Sequence, residues 1–228
     1  MYTAVVKGTA IGRGRSFVLL YVTPASPWVR RVVVSILELG LRDRFEFVQT
    51  KWPHSWATHT VNHSDDFAQA TPVQRIPALV AGDLCLVESH AICDYINGEL
   101  GGFRLLARDG EARWQALADI AIANGTIEAQ IARRAELLRS ESERSSDFID
   151  KMRARTLRCF SALDRRVNAF DADFDLAQIT IAVACGYQEW RYPADGWRVA
   201  APRLAAWFDG AAGRLSMRAT EPAETPQA

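Results

Sequence analysis

The stretch LLYVTPASPWVRR, residues 19–31, decides the fold. Leu19 to Val22 is a short apolar run of strand character. Thr23, Pro24 and Ala25 break it. Ser26 followed by Pro27 is a helix entry. A serine hydroxyl accepts a hydrogen bond from a first-turn backbone N–H, and proline fits the first helical position, where its missing N–H is not needed. Val29, Val32, Val33, Ile36 and Leu37 then recur at helical spacing, with Arg30, Arg31 and Glu38 largely between them. Gly40 ends that helix, and Phe45 to Val48 alternates like a second strand. The order β-α-β implies a parallel pair with a crossover helix. A hydroxyl at a helix N-terminus also suits an anion, a thiolate included. Taken alone, Ser26 is only a cap.

Residues 50–70 hold three of the four histidines, His54, His59 and His63, with Asp65 and Asp66 nearby. No HExxH pattern accompanies them, so the expectation is a polar, partly helical surface loop and no metal. Arg75 to Val80 reads as a strand. Pro77 belongs at its start or at a sheet edge, because proline lacks the donor a central strand needs. Gly82-Asp83 makes a hairpin turn and Leu84 to Val87 return antiparallel. Glu88-Ser89 opens a helix through Ala91, Ile92, Tyr95 and Ile96, with Ser89 as the expected N-cap. Gly101-Gly102 marks a boundary. Beyond it the pattern is helical over 111–139, 144–169, Ile179 to Trp190 and Pro202 to Arg214, the third opened by a capping box, Asp175-Leu176-Ala177-Gln178. The tail after Arg218 is polar and proline-containing, expected to be loosely attached. The organisation expected is a flexible extension (1–17), an α/β domain (18–100), a linker (101–110) and an all-α domain (111–228).

The chain carries 27 basic and 27 acidic side chains, a balance that points away from a nucleic-acid face. Its longest apolar run, Ile179 to Cys185, is too short to span a bilayer. Cys85, Cys93, Cys159 and Cys185 show no CxxC spacing and read as reduced thiols, which implies a cytoplasmic setting. The first sixteen residues hold Lys7, Arg13 and Arg15 and no acid, without an apolar core, unlike a secretory signal; a flexible extension is the expectation, with an organelle-targeting segment as the lesser alternative.

The element order is that of a thioredoxin-like domain, and there the resemblance becomes specific. The chain resembles the soluble bacterial glutathione transferases, in the branch that opens with a Ser-Pro-aromatic-Val-Arg turn. The matching pieces are Ser26-Pro27-Trp28-Val29-Arg30, Thr71-Pro72-Val73-Gln74-Arg75-Ile76-Pro77-Ala78-Leu79, Glu88-Ser89-His90-Ala91-Ile92, Leu176-Ala177-Gln178-Ile179 and Thr220-Glu221-Pro222. Each is weak alone; five in family order over residues 18–222 are strong. The family pattern has Asn where this chain has Thr71 and Asp where it has Gln178, and segment 50–70 is longer than in compact relatives.

The resemblance implies a thioredoxin-like domain followed by an all-α domain, with Pro77 as a cis-proline. It implies glutathione as co-substrate, no metal, and a homodimer with neither nucleic-acid nor membrane partners. The Ile76 backbone would pair with the cysteinyl part of glutathione. Glu88 would meet the γ-glutamyl ammonium, and Ser89 its carboxylate. Trp28 would line the thiol side, and Arg75 or Gln74 would face the peptide's carboxylates. Ser26 would be catalytic, with Thr23 as the rival hydroxyl. A thiol near ~8.5 must ionise to become the nucleophile, and lowering its pKa by about two units requires ~2.7 kcal/mol of differential stabilisation. A hydroxyl donor at a helix end supplies stabilisation of that kind. Serine cannot form the mixed disulfides of cysteine-bearing relatives, so conjugation, as in detoxification of a small hydrophobic electrophile, is favoured over disulfide reduction. That second substrate would sit near Asn124, Thr126 and Ile127, residues their helix could equally use for packing. Two other readings share the fold: a non-catalytic protein of the stringent-starvation type that binds RNA polymerase, and a specialised dehalogenase, isomerase or lyase.

Overall fold

A computed structural model describes residues 18–50, 54–55, 60–61, 67, 71–170 and 173–224. The expectations for residues 1–17, His59, His63, Asp65 and Asp66 lie outside that set. Strand β1 (Val18–Val22) alternates between buried and half-buried positions, so Val18, Leu20 and Val22 face the core. Ser26 caps α1 (Pro27–Glu38) with Pro27 in its first turn. Gly40, at φ +69°, closes the helix. The Leu41 N–H reaches the Ile36 carbonyl at 2.9 Å and the Gly40 N–H the Leu37 carbonyl at 3.0 Å, the paired bonds of a left-handed helix stop.

Strand β2 (Phe45–Gln49) then runs parallel to β1, with Val18 opposite Phe45. Two-residue strands β3 (His54–Ser55) and β4 (Thr60–Val61) pair antiparallel with each other. The described part of segment 50–70 therefore includes a small β-ribbon, which the helical reading did not include. Strands β5 (Ala78–Ala81) and β6 (Leu84–Val87) form the hairpin across Gly82-Asp83, and β5 lies antiparallel to β1. The strand starts at Ala78, after the cis Ile76–Pro77 bond, rather than at Arg75. The sheet order is β2-β1-β5-β6. One sheet face packs on α1. On the other, Tyr21, Ile76 and Val87 surround buried Phe67 and Ala78, and the Tyr21 and Phe67 rings lie 4.8 Å apart.

Helix α2 (Ser89–Tyr95) follows β6 and continues as a π-turn over Ile96–Leu100. The rest is helical: α3 (Gly110–Leu137), α4 (Ser146–Asp164), α5 (Leu176–Arg191), α6 (Trp197–Ala200), α7 (Pro202–Ala212) and α8 (Leu215–Arg218). Asp175 caps α5 through the Gln178 N–H at 2.7 Å. Every residue of α5 from Leu176 to Gln188 is buried, as a helix apolar on most faces should be. One apolar cluster runs from Leu20 through Val32 and Ile36 to Ile181 and Val183, joining the sheet domain to the helical region.

The tail is held more firmly than expected, as far as Glu224. Arg30 Nε donates to Thr220 Oγ1 at 3.4 Å. Both oxygens of Glu224 accept from Arg191, at 2.5 and 3.1 Å. Polarity alone suggested a loose end; fixed arginines supply its partners. No helix among the described residues is long and apolar enough to cross a membrane.

Candidate active site

Strand register brings three pieces of chain to one end of the sheet. Tyr21, near the C-terminal end of β1, pairs with Ala78, the first residue of β5. Ala78 pairs in turn with Val87, the last residue of β6. The Ser26 turn follows β1, Ile76-Pro77 precede β5, and Glu88-Ser89 follow β6. All three therefore meet at the same end of the sheet, which sequence spacing of more than 60 residues does not reveal by itself.

Ser26 is half-buried in extended backbone conformation, and its Oγ accepts the Val29 N–H at 3.3 Å. That contact uses the oxygen and leaves the hydroxyl proton to donate. Thr23 is 4% exposed, while its carbonyl accepts the Ser26 N–H at 3.4 Å. Trp28 is half-buried on the first turn of α1, and the Arg31 guanidinium carbon lies 5.3 Å from its ring centroid. Ile76 is half-buried, Pro77 buried and Arg75 exposed.

The N-cap of α2 is Glu88, not Ser89 as expected. Glu88 sits at φ +82° and its carboxylate accepts the N–H groups of His90 (3.0 Å) and Ala91 (3.1 Å). A carboxylate satisfies two orphan donors where a hydroxyl satisfies one, and it complements the helix dipole. The Glu88 side chain keeps 60% of its surface exposed. Ser89 is 3% exposed. Its Oγ accepts from Arg31 Nη2 at 2.5 Å, and its nearest acceptor is Glu88 Oε1, at a long 3.5 Å.

Arg31 was missed by the periodicity argument, which set it between the apolar positions of α1. It is fully buried. Besides Ser89, it donates from Nη1 to Asn124 Oδ1 on α3 at 2.6 Å and lies 3.7 Å from Glu88 Oε1. Burial lowers its proton affinity, while Cys93 and Glu88 act the other way. Burial of Cys93 raises its thiol to about 11, which disfavours the thiolate. His90, half-buried beside Ser89, is lowered by burial and by Arg31. The only sequence signal for Arg31 was an Arg-Arg pair inside an otherwise apolar helix.

Asn124 is thus occupied in binding Arg31 and does not simply line a second-substrate site. Thr126 and Ile127 are fully buried, and Thr126 Oγ1 donates to the Ile122 carbonyl at 3.0 Å. These two pack inside the helical region, one of the two roles the sequence leaves open for them. Among the described residues no group of three or more His, Cys, Asp or Glu side chains could hold a metal ion.

A family model for the glutathione S-transferase N-terminal domain matches residues 20–102. A glutathione transferase family member from Pseudomonas fluorescens Pf-5, crystallised with bound glutathione, is 32% identical. The match covers 91% of this chain and all of that one, with a TM-score of 0.81. Another structure of a transferase family member from the same strain, with bound S-(propanoic acid)-glutathione, matches at 32% identity and TM-score 0.79, over 90% of this chain and all of that one. The uncharacterized GST-like protein YibF of Escherichia coli K12 is 29% identical over 201 residues, 86% of this chain and 95% of its own length. The chain belongs to the glutathione S-transferase family.

Proposed function

We propose that the protein is a glutathione transferase that adds the glutathione thiolate to a small hydrophobic electrophile. The observation that carries this reading is the Ser26 hydroxyl, which accepts the Val29 N–H and so keeps its proton for a sulfur at the N-terminus of α1. A hydroxyl donor and the helix dipole both favour the anion. The half-buried position of Ser26 favours it over buried Thr23 as that donor. The thiolate forms the new C–S bond. The electrons displaced leave with a leaving group or are captured by a proton, according to the electrophile. Glu88 and Ser89 take the γ-glutamyl ammonium and carboxylate, and the Ile76 backbone takes the cysteinyl amide, with Trp28 beside the thiol and Arg75 towards the peptide's outer carboxylate. The relatives crystallised with glutathione and with a glutathione thioether support the ligand assignment.

The linker assigned to 101–110 divides a glutathione-binding domain from an all-α domain. The protein acts in the cytoplasm as a homodimer. Trp114, 68% exposed on α3, is an apolar side chain available to that contact, and sedimentation velocity checks the assembly.

Calorimetric titration of glutathione into the protein tests the reading. Binding in the micromolar to millimolar range, weakened about tenfold or more in Ser89→Ala through loss of a hydrogen bond to a charged group, supports it. Absence of binding to the wild type contradicts it and would favour a protein-binding role.

A further inference from the structure

A guanidinium excluded from water is costly unless it is paired and hydrogen-bonded. Arg31 is fully buried on α1, yet its contacts are not those of a closed ion pair. Its two terminal nitrogens donate to neutral oxygens, Ser89 Oγ and Asn124 Oδ1. Its Nε is buried without a hydrogen-bond partner among the described residues. The one nearby carboxylate, Glu88, lies 3.7 Å away, is mostly exposed, and spends its oxygens on the His90 and Ala91 N–H groups. The positive charge is therefore faced by the Glu88 carboxylate at 3.7 Å and the Trp28 ring at 5.3 Å, and by no directly hydrogen-bonded anion among the described residues.

We infer that Arg31 is a positioning residue that makes the Ser89 hydroxyl a committed hydrogen-bond donor and tunes the site for a ligand carboxylate. The inference rests on the reading of Glu88 and Ser89 as the γ-glutamyl site. A serine hydroxyl has one proton and two lone pairs, and in isolation it serves as donor or acceptor. With Arg31 Nη2 on its oxygen at 2.5 Å, the proton must point elsewhere, and its one described acceptor, Glu88 Oε1, is at the 3.5 Å limit. A carboxylate arriving at Ser89 receives that proton and sits close to a buried positive charge, where Coulomb attraction is strong. Glu88 lies beside it for an adjacent ammonium. The pair of subsites thus selects the zwitterionic head of an α-amino acid and discriminates against a ligand with the ammonium alone. Asn124 holds the guanidinium in place from the helical region, so the selectivity depends on a residue across the domain joint.

The test compares two ligands: glutathione, and γ-aminobutyryl-cysteinyl-glycine, which is glutathione without its α-carboxylate. The ratio of their dissociation constants is read by calorimetry for the wild type, Arg31→Met, Arg31→Lys, Asn124→Ala and Ser89→Ala, with thermal melts to establish folding. The wild type should bind glutathione at least tenfold more tightly than the analogue. Arg31→Met should bring the ratio close to one by weakening glutathione and leaving the analogue nearly unchanged. Arg31→Lys should restore part of it, because the charge returns without the planar fork. Adding Arg31→Met to Ser89→Ala should lower the ratio less than it does in the wild type, since the two act through one contact. A merely structural arginine would weaken both ligands alike. Should Arg31→Met fail to fold, Arg31→Lys and Asn124→Ala decide, each with a predicted fall in the ratio. An unchanged ratio in the folded variants overturns the inference while the transferase reading stands. A wild type that binds no glutathione overturns the transferase reading itself, and this inference with it.

Discussion

The Ser26 oxygen accepts the Val29 N–H at 3.3 Å, and an aspartate carboxylate can accept the same bond. Capping and thiol activation are therefore separable by substitution. Ser26→Ala loses the cap and should cost about 1 kcal/mol of stability, whereas Ser26→Asp should fold about as well as the wild type. Neither variant can donate a proton to sulfur, and aspartate adds a like charge that pushes the thiol pKa upward. Both should lose conjugation rate by roughly a hundredfold, the order seen when one preorganised donor to a developing anion is removed, with Ser26→Asp the worse. Thermal denaturation and initial rates measured together check this. If Ser26→Asp were destabilised but active, the roles given to this hydroxyl would be wrong. The capping role of Ser26 was legible in the sequence because a Ser-Pro pair after a strand is a local signal. Arg31 was not, because periodicity scores an arginine as solvent-facing and cannot see Ser89 and Asn124 arriving from 58 and 93 residues away.

At the scale of elements, α1 and α5 meet where the Arg30 guanidinium lies over Gly186. A methyl group built on Gly186 would collide with Arg30 Nη1. Arg30 is 8% exposed and its Nη2 is bonded to the Met217 carbonyl, so the guanidinium has little room to retreat. Burial lowers its pKa to about 10, with Glu221 opposing the shift. Gly186→Ala should therefore destabilise the wild type by about 1–3 kcal/mol through overpacking. In an Arg30→Ala background the same change should be neutral or stabilising by about 1 kcal/mol, the ordinary gain of alanine over glycine in a helix. Chemical denaturation of the four proteins gives the coupling, and simple additivity would contradict the packing account. The helices themselves were largely readable. Asp175 announced the start of α5, and its apolar run announced burial. The cap of α2 was misread because a serine beside a glutamate favours serine on preference alone. Here the glutamate's positive φ aims its carboxylate at two N–H groups.

Across the whole molecule, Glu38 at the end of α1 ties the sheet domain to the C-terminal helices. Arg214 Nε and Nη2 reach its carboxylate at 3.0 and 2.7 Å, and the Ser216 hydroxyl donates to it as well. Burial alone would raise its pKa, but the hydrogen bonds from Arg214 and Ser216 and the charge of Arg214 outweigh that and lower it. Because the folded state binds this proton less tightly than the unfolded chain, the contact stabilises above the ordinary value of 4.5. That stabilisation is lost as pH falls through the lowered folded value. Glu38→Gln should be less stable than the wild type at neutral pH, and the gap should narrow on acidification below the ordinary carboxylate value. Melting temperatures across an acid series test this, and a gap that is constant with pH would contradict it. Such joints are invisible to sequence reading because each partner, taken alone, is an ordinary surface charge. The fold class, a mixed sheet followed by a mostly helical region, was by contrast legible from the β-α-β opening and the long helical patterns.

The measurement that bears most directly on the central claim is the titration of the glutathione thiol in its complex with the protein, followed by thiolate absorbance in the wild type and in Ser26→Ala. A hydroxyl donor at the N-terminus of α1 predicts a bound thiol about two units below the ~8.5 of a free cysteine, returning most of the way upward in Ser26→Ala. A bound thiol that titrates like the free one, or one that stays equally lowered without the Ser26 hydroxyl, would contradict it.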